Sequence, residues 1–193
     1  DSDLYRTHPD WGIHTPGRER NETRNQLTLD LSRPEVCDYI VEAVCKILDT
    51  ANISYVKWDM NRHMSEPGSA GLPAERQKEM PHRYMLGLYN VLERVVGTHP
   101  DILFESCSGG GGRFDPGMLY YMPQTWTSDD TDAVERLFIQ YGTSLAYPTS
   151  AMGAHVSAVP NHQTGRITSL ETRAVTAMAG SFGYELDLNQ ISE

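Results

Sequence analysis

The apolar residues of this chain arrive in short bursts that alternate between two periods. Residues 27–31 (LTLDL), 53–59 (ISYVKWD), 102–107 (ILFESC) and 124–128 (QTWTS) form runs of strand length between polar or glycine-containing segments. Elsewhere the period lengthens. Val36, Ile40, Ala43, Val44, Ile47 and Leu48 recur at helical spacing behind a Ser32-x-x-Glu35 capping box. Met85, Leu88, Leu92 and Val95 do the same in a helix expected from about residue 83 to 96, with Gly97 past its end and Pro100 beyond. A polar loop over 63–80 precedes that helix, and a short turn near Pro116 follows the third run. Downstream the pattern predicts a helix over 132–141 closed by Gly142, a strand at 144–147 and a long loop holding Met152 to His155. A helix over 168–179 capped by Thr168-x-x-Glu171 and a last strand at 182–186 complete the chain.

Such alternation of strand and helix predicts parallel strands joined by crossover helices. A doubly wound sheet and a (β/α)8 barrel both satisfy it, and in both the C-terminal ends of the strands are where the interior meets solvent and where chemistry collects. The stretch Tyr55-Val56-Lys57-Trp58-Asp59-Met60-Asn61-Arg62 ends a strand in charge. A period of two puts Tyr55, Lys57 and Asp59 on one face and Val56 and Trp58 on the other, so a cation sits beside a carboxylate at the tip. The competing reading is a surface Lys–Asp pair.

Two later strands end comparably. Cys107 precedes the glycines 109–112, a loop without side chains to hold a ligand off the backbone, and residues 124–128 run into Asp129, Asp130 and Asp132. Asp130 and Asp132 precede or open a helix, where carboxylates cap. Asp129 closes the strand and can turn into a pocket. Asp-Asp-Thr-Asp is not a calcium loop, since the glycine and the distal glutamate of such loops are missing.

Composition narrows the partners. With 193 residues and 39% hydrophobic content the chain can bury a core, and it has no apolar run long enough to cross a membrane. A net charge of -10 repels phosphate backbones, which argues against nucleic acid and is indifferent to a neutral sugar. Cys37, Cys45 and Cys107 cannot all pair and lack zinc-site spacing, so reduced thiols and a cytoplasmic setting are expected. The start, Asp1-Ser2-Asp3-Leu4-Tyr5 before a loop punctuated by Pro9, Gly12, Pro16 and Gly17, reads as the inside of a longer protein.

Taken together, Lys57-Trp58-Asp59-Met60-Asn61, Glu105-Ser106-Cys107-Ser108-Gly109-Gly110-Gly111-Gly112-Arg113 and Gln124-Thr125-Trp126-Thr127-Ser128-Asp129-Asp130-Thr131-Asp132 resemble the active-site strands of the family 36 glycoside hydrolases, the α-galactosidases or melibiases. The resemblance extends from Asp1-Ser2-Asp3-Leu4-Tyr5 through Arg24-Asn25-Gln26-Leu27 to Gly183-Tyr184-Glu185-Leu186-Asp187. It implies the barrel: residues 1–193 would be the C-terminal part of a (β/α)8 TIM-barrel catalytic domain, roughly its third to eighth strands, with the first two strands and flanking domains upstream.

The resemblance also implies chemistry. A retaining α-galactosidase acting on terminal α-1,6-galactosyl residues, as in melibiose and raffinose, needs a nucleophilic carboxylate and a carboxylic acid about 5 to 5.5 Å apart. Asp59 takes the first role and Asp129 the second, with the neighbouring acids raising the pKa of Asp129. Lys57, Asn61, Arg24, Cys107 and Gly110 match the family's substrate-binding positions. The residues alone read Cys107 as a buried thiol or as a small residue suited to close sugar approach. Trp126 reads as core, Arg113 and Glu105 as supports of the glycine loop, and His155 and His63 as ordinary. No metal or other cofactor is implied, and the expected partners are α-galactoside oligosaccharides and further copies of the parent protein. A raffinose-synthase-like transglycosylase, an α-N-acetylgalactosaminidase and a non-catalytic carbohydrate-binding protein are the alternatives on the same scaffold. The upstream Asp pair and Trp that family members use have no counterpart here.

Overall fold

The computed structural model describes residues 2–190. They form two compact units, one of residues up to 56 with 60–103, the other of residues 57–59 with those from 104 on.

The first unit is helical. Short helix α1 (Asp3–Thr7) and a 3-10 turn (Pro9–Trp11) lead to α2 (Pro34–Leu48), and a second 3-10 turn (Ala74–Glu79) leads to α3 (Met80–Thr98). Met80, Tyr84, Leu88, Val91, Leu92 and Val95 bury one stripe of α3, recurring every three or four residues as an amphipathic helix requires. Helices α2 and α3 pack on each other, with Arg94 Nη1 2.7 Å from Asp38 Oδ1 across their exposed side. The residues just before α2 hold the unit's tightest polar cluster. Asp30 is fully buried, and its Oδ1 accepts the Ser32 amide at 3.0 Å and hydroxyl at 2.5 Å while Oδ2 accepts from Ser69.

That cluster changes two expectations. Residues 27–31 are not a strand: Leu29 makes one isolated antiparallel bridge to Gly12, with Ile13 N–H on the Thr28 carbonyl and Asp30 N–H on the Trp11 carbonyl, both at 2.8 Å. The capping box does not form either. The hydroxyl of Ser32 is committed to Asp30, and α2 starts one residue later from Arg33, with Pro34 supplying a pre-set first turn.

The second unit carries the sheet. Strand β1 (Tyr55–Asp59) contributes its last three residues to it, followed by β2 (Leu103–Cys107), helix α4 (Pro116–Tyr121), β3 (Gln124–Trp126), α5 (Ala133–Ser144), β4 (Met152–Ser157), α6 (Leu170–Ala177) and β5 (Ser181–Glu185). The five strands lie in the order β1-β2-β3-β4-β5 and run parallel, with Glu105 opposite Gln124, Trp126 opposite Gly153 and Ala154 opposite Phe182. A doubly wound sheet reverses its strand order at a switch point, and this one does not. Strictly sequential parallel strands with helices between them are a partial (β/α)8 barrel.

The expected strand at 144–147 is instead the end of α5 and a turn, with Leu145 N–H on the Gly142 carbonyl and Tyr147 N–H on the Thr143 carbonyl, so Gly142 lies inside the helix. The strand is β4, in what read as loop. Its sequence, MGAHVS, is too rich in small residues to signal a strand, and the smallness is structural: a side chain on Gly153 would sit 3.3 Å from the Thr125 carbonyl and 3.4 Å from the Trp126 ring. Below the sheet Ala154 and Val156 pack on Ala177 of α6. Ser169, not Thr168, caps α6. Among the described residues no helix is long and apolar enough to cross a membrane.

Gly87 of α3 tests the packing of the first unit, because a Cβ there would lie 1.8 Å from the Leu31 carbonyl oxygen, a backbone atom. Gly87→Ala is expected to destabilise by about 2 kcal/mol despite its better helix propensity, since overpacking against backbone outweighs the gain. Gly97→Ala, where nothing lies within 4 Å, should be neutral or slightly stabilising. Thermal melts of the full-length protein carrying each change check the contrast.

Candidate active site

Three strand tips build the site in the second unit. Asp59 is the last residue of β1, Cys107 the last of β2 and Trp126 the last of β3. One pleat further down, Lys57 and Glu105 share the faces of Asp59 and Cys107. The ammonium of Lys57 lies 3.9 Å from Glu105 Oε1 and 5.0 Å from the centre of the Trp126 ring. Glu105 is fully buried and its other oxygen accepts the side-chain amide of Gln124, its register partner on β3. Glu105 is therefore a strut inside the sheet beneath Lys57. Arg113 supports the glycine loop, donating to Ser108 Oγ at 2.6 Å.

The thiol of Cys107 touches both the proposed nucleophile and the loop. It donates to the Asp59 carboxylate and accepts from the Gly110 amide. Burial, with the hydrogen bond and charge of Asp59 adding to it, pushes the thiol up to about 11 against the opposing effect of the Gly110 amide. The structural and sugar-facing readings of Cys107 thus meet in one buried group at the strand tip.

The glycine loop folds back on the loop after β3. Ser108 N–H donates to the Gly110 carbonyl at 2.7 Å and Gly111 N–H to the Thr127 carbonyl at 3.2 Å. Gly110 has φ +80°, and a Cβ on it would fall 2.7 Å from Ser128 Cα. Both constraints demand glycine whatever the ligand does.

The same contact ends β3 early. The carbonyl of Thr127 is spent on Gly111, so Asp129 is not the last residue of the strand but lies three residues past it, exposed on the loop. Its neighbours are committed to backbone, as their sequence context predicts. Asp130 Oδ1 accepts the Asp132 amide at 2.9 Å, and Asp132 Oδ1 caps α5 through Val134 N–H at 2.8 Å and Glu135 N–H at 3.2 Å. Against the cost of its burial, Thr164, those two amides and Arg166 hold the Asp132 carboxyl below the usual carboxylate range.

Arg24 and Asn61 belong to the first unit. Arg24 (φ 57°) and Asn25 (φ 55°) form the tip of an exposed turn closed by Thr23 and Gln26, while Asn61 is half-buried two residues beyond β1. The next residue escaped the sequence reading. Arg62 is 9% exposed and its guanidinium donates to the carbonyls of Asn21, Gln26 and His63 and to Ser65 Oγ. Arg136 escaped it too. Charge alone places neither, because hydrogen bonds of both go to backbone carbonyls. His155, expected to be ordinary, stacks on Trp126 at 4.7 Å with its Nδ1 3.1 Å from Glu185 Oε2, and Trp126 at 3% exposure is core as expected.

Sequential parallel strands with an acid and a thiol at their C-terminal tips and a lysine one pleat below define part of a (β/α)8 barrel with its polar groups at the end where such barrels carry their sites. The chain belongs to the melibiase family, whose model matches residues 1–193. It is 69% identical to alpha-galactosidase AgaA of Geobacillus stearothermophilus over 192 residues, which take in 100% of this chain and 26% of that protein. It is 58% identical over 193 residues to the bifunctional alpha-galactosidase/sucrose kinase AgaSK of Mediterraneibacter gnavus, covering 100% of this chain and 20% of that one. A crystal structure of a substituted AgaA, a GH36 alpha-galactosidase in complex with raffinose, matches with a TM-score of 0.97 at 68% identity, over 100% of this chain and 27% of that chain. An alpha-galactosidase from Lactobacillus brevis gives 0.96 at 55%, over 100% and 26%. The chain thus spans 20% and 26% of the length of the two curated relatives.

The Cys107 thiol is raised above its ordinary value of 9.0, so the fold favours its neutral form: that contribution is complete below pH 9 and is lost as pH rises through about 11. In the native protein, peptide mapping after iodoacetamide treatment should find Cys107 unmodified at pH 8 and labelled increasingly towards pH 11. Rapid labelling at pH 8 would contradict the assigned environment.

Proposed function

We propose that the protein carrying this chain is a retaining α-galactosidase that releases terminal α-1,6-linked galactose from oligosaccharides of the melibiose and raffinose type. The observation that carries the reading is the strand-tip group itself: Asp59 at the end of β1, touched by the Cys107 thiol, with Lys57 on its own face. The names of the relatives support the substrate class, and the raffinose complex of one of them supports the linkage.

The chemistry runs in two displacements. Asp59 attacks the anomeric carbon as Asp129 gives its proton to the departing oxygen, breaking the glycosidic bond and forming a galactosyl ester on Asp59. Asp129, now a carboxylate, takes a proton from a water that attacks the same carbon, and galactose leaves with Asp59 restored. The double inversion retains the anomeric configuration. Strands β1 and β3 are two steps apart in the sheet, about 9.5 Å between axes, so the proposed pair has to lean inward across the tip of β2 to meet the roughly 5 Å that a retaining mechanism needs. Lys57, Cys107 and Gly110, all of the second unit, hold the galactose. Neither displacement calls on a metal or organic cofactor. Three free cysteines support a reducing, cytoplasmic setting.

A slow 2-deoxy-2-fluoro galactosyl substrate given to the full-length protein should leave its adduct on the peptide containing Asp59, and an adduct on Asp129 would reverse the two roles. Asp129→Ala should keep a substantial rate in the first displacement on substrates with good leaving groups, which need no acid there, and be rescued by azide in the second, whereas Asp59→Ala should show neither property.

Among nitrophenyl glycosides, the α-galactoside should be turned over at least about 10-fold faster than the α-N-acetylgalactosaminide or α-glucoside, the margin that a misfitted pocket group gives. A preference for either competitor, measured as kcat/KM, would overturn the substrate assignment.

A further inference from the structure

Arg136 of α5 is a cation buried to 3% exposure, an unfavourable placement unless its position matters. Burial pulls it down to about 10, with Asp130 and Glu185 opposing through charge alone. Its hydrogen bonds go elsewhere. Nη1 donates to the Ser128 carbonyl at 3.1 Å, Nη2 to the Gly153 carbonyl at 2.8 Å and Nε to Gln140 Oε1 at 3.4 Å, while the guanidinium lies 4.4 Å over the Trp126 ring. Ser128 is the residue immediately before Asp129. Gly153 is on β4, and Trp126 ends β3.

One planar group thus ties the loop that carries Asp129 to two strands and a helix. The side chain of Ser128 cannot do this, since its hydroxyl accepts only the local Asp130 amide. The fork geometry suits a guanidinium, which can hold two carbonyls at fixed angles, where an ammonium would supply only a point charge. We propose that Arg136 is a positioning residue for Asp129, fixing the loop so that the acid/base carboxyl reaches the glycosidic oxygen. The inference rests on the assignment of Asp129 as acid/base and deepens it: the requirement for Arg136 should follow the requirement for acid assistance.

The test uses full-length protein carrying Arg136→Lys or Arg136→Gln, assayed on melibiose and on 2,4-dinitrophenyl α-galactoside. Misplacing a proton donor by about an ångström is expected to cost on the order of 100-fold in kcat/KM on melibiose. In the same parameter, which reads the first displacement and not the base-assisted second one, the dinitrophenyl substrate, which leaves without a proton, should lose less than about 3-fold, with Lys milder than Gln. In an Asp129→Ala background the Arg136 changes should add nothing further on melibiose. A merely structural role would lower both substrates equally, and that result overturns the proposal. So does an Arg136→Lys protein that fails to fold, which would assign the residue to the core. If Asp129→Ala itself shows no dependence on the leaving group, the acid/base assignment fails; if it does and the Arg136 variants do not, only the positioning role fails.

Discussion

The indole of Trp126 is the contact on which the second unit depends. It ends β3, and around it gather Lys57 from β1, Arg136 from α5 and His155 from β4, at 5.0, 4.4 and 4.7 Å. Two cations against one ring gain from its negative faces. They also repel each other, and each has acids near it: Glu105 faces Lys57, while Asp130 and Glu185 act on Arg136 through charge. A ring of this size also fixes its neighbours: Gly153 lies opposite Trp126 in register and must be small, which makes β4 look so little like a strand. Position, charge and strand composition here are one constraint.

A second constraint lies just above the ring. Ending β3 at Trp126 releases the next residues from the ladder, and the Thr127 carbonyl turns to the glycine loop instead of to β4. Three aspartates follow in quick succession, and the local backbone sorts them. Asp132 is drawn to the first amides of α5, where a negative charge is favoured, and Asp130 to the amide of Asp132. Only Asp129 is left on the exposed side of the loop, the position that the proposed acid/base must occupy.

How much of this is readable beforehand depends on whether the signal is local. The stripe of α3 and the runs of β1 and β2 are local, and they lie within two or three residues of where periodicity puts them. The capping of α5 by Asp132 is local too, and so is the contact of Asp130 with the Asp132 amide. The misses are cases in which a distant partner overrides the pattern. Residues 27–31 alternate like a strand, but Trp11 and Ile13 pair with them and Asp30 turns to Ser69, so they never join the sheet. Ser32 has the spacing of a cap and a different acceptor. The glycines 109–112 suggest an open backbone, yet Gly110 is filled from the other side by Ser128. The candidate motifs around Asp59 and Cys107 sit at strand ends, where sequence and space stay in step.

The buried arginines show what pattern reading cannot supply. Arg62 in one unit and Arg136 in the other satisfy their donors largely on backbone carbonyls, which every residue possesses and no motif records. That choice of acceptor matters in a chain with a net charge of -10. A guanidinium paired with Asp129 would hold its carboxyl ionised and remove the proton that the proposed first displacement requires, since an adjacent cation always favours the charged form. By binding the carbonyl next to the acid rather than the acid itself, Arg136 can fix the loop without pairing its charge with that carboxyl. Lys57, by contrast, shares a face with Asp59, whose proposed role as nucleophile calls for the ionised state. On the proposed reaction, the two carboxylates therefore differ in the cation beside them as well as in their surroundings: Lys57 shares the face of Asp59, whereas Arg136 binds the backbone ahead of Asp129.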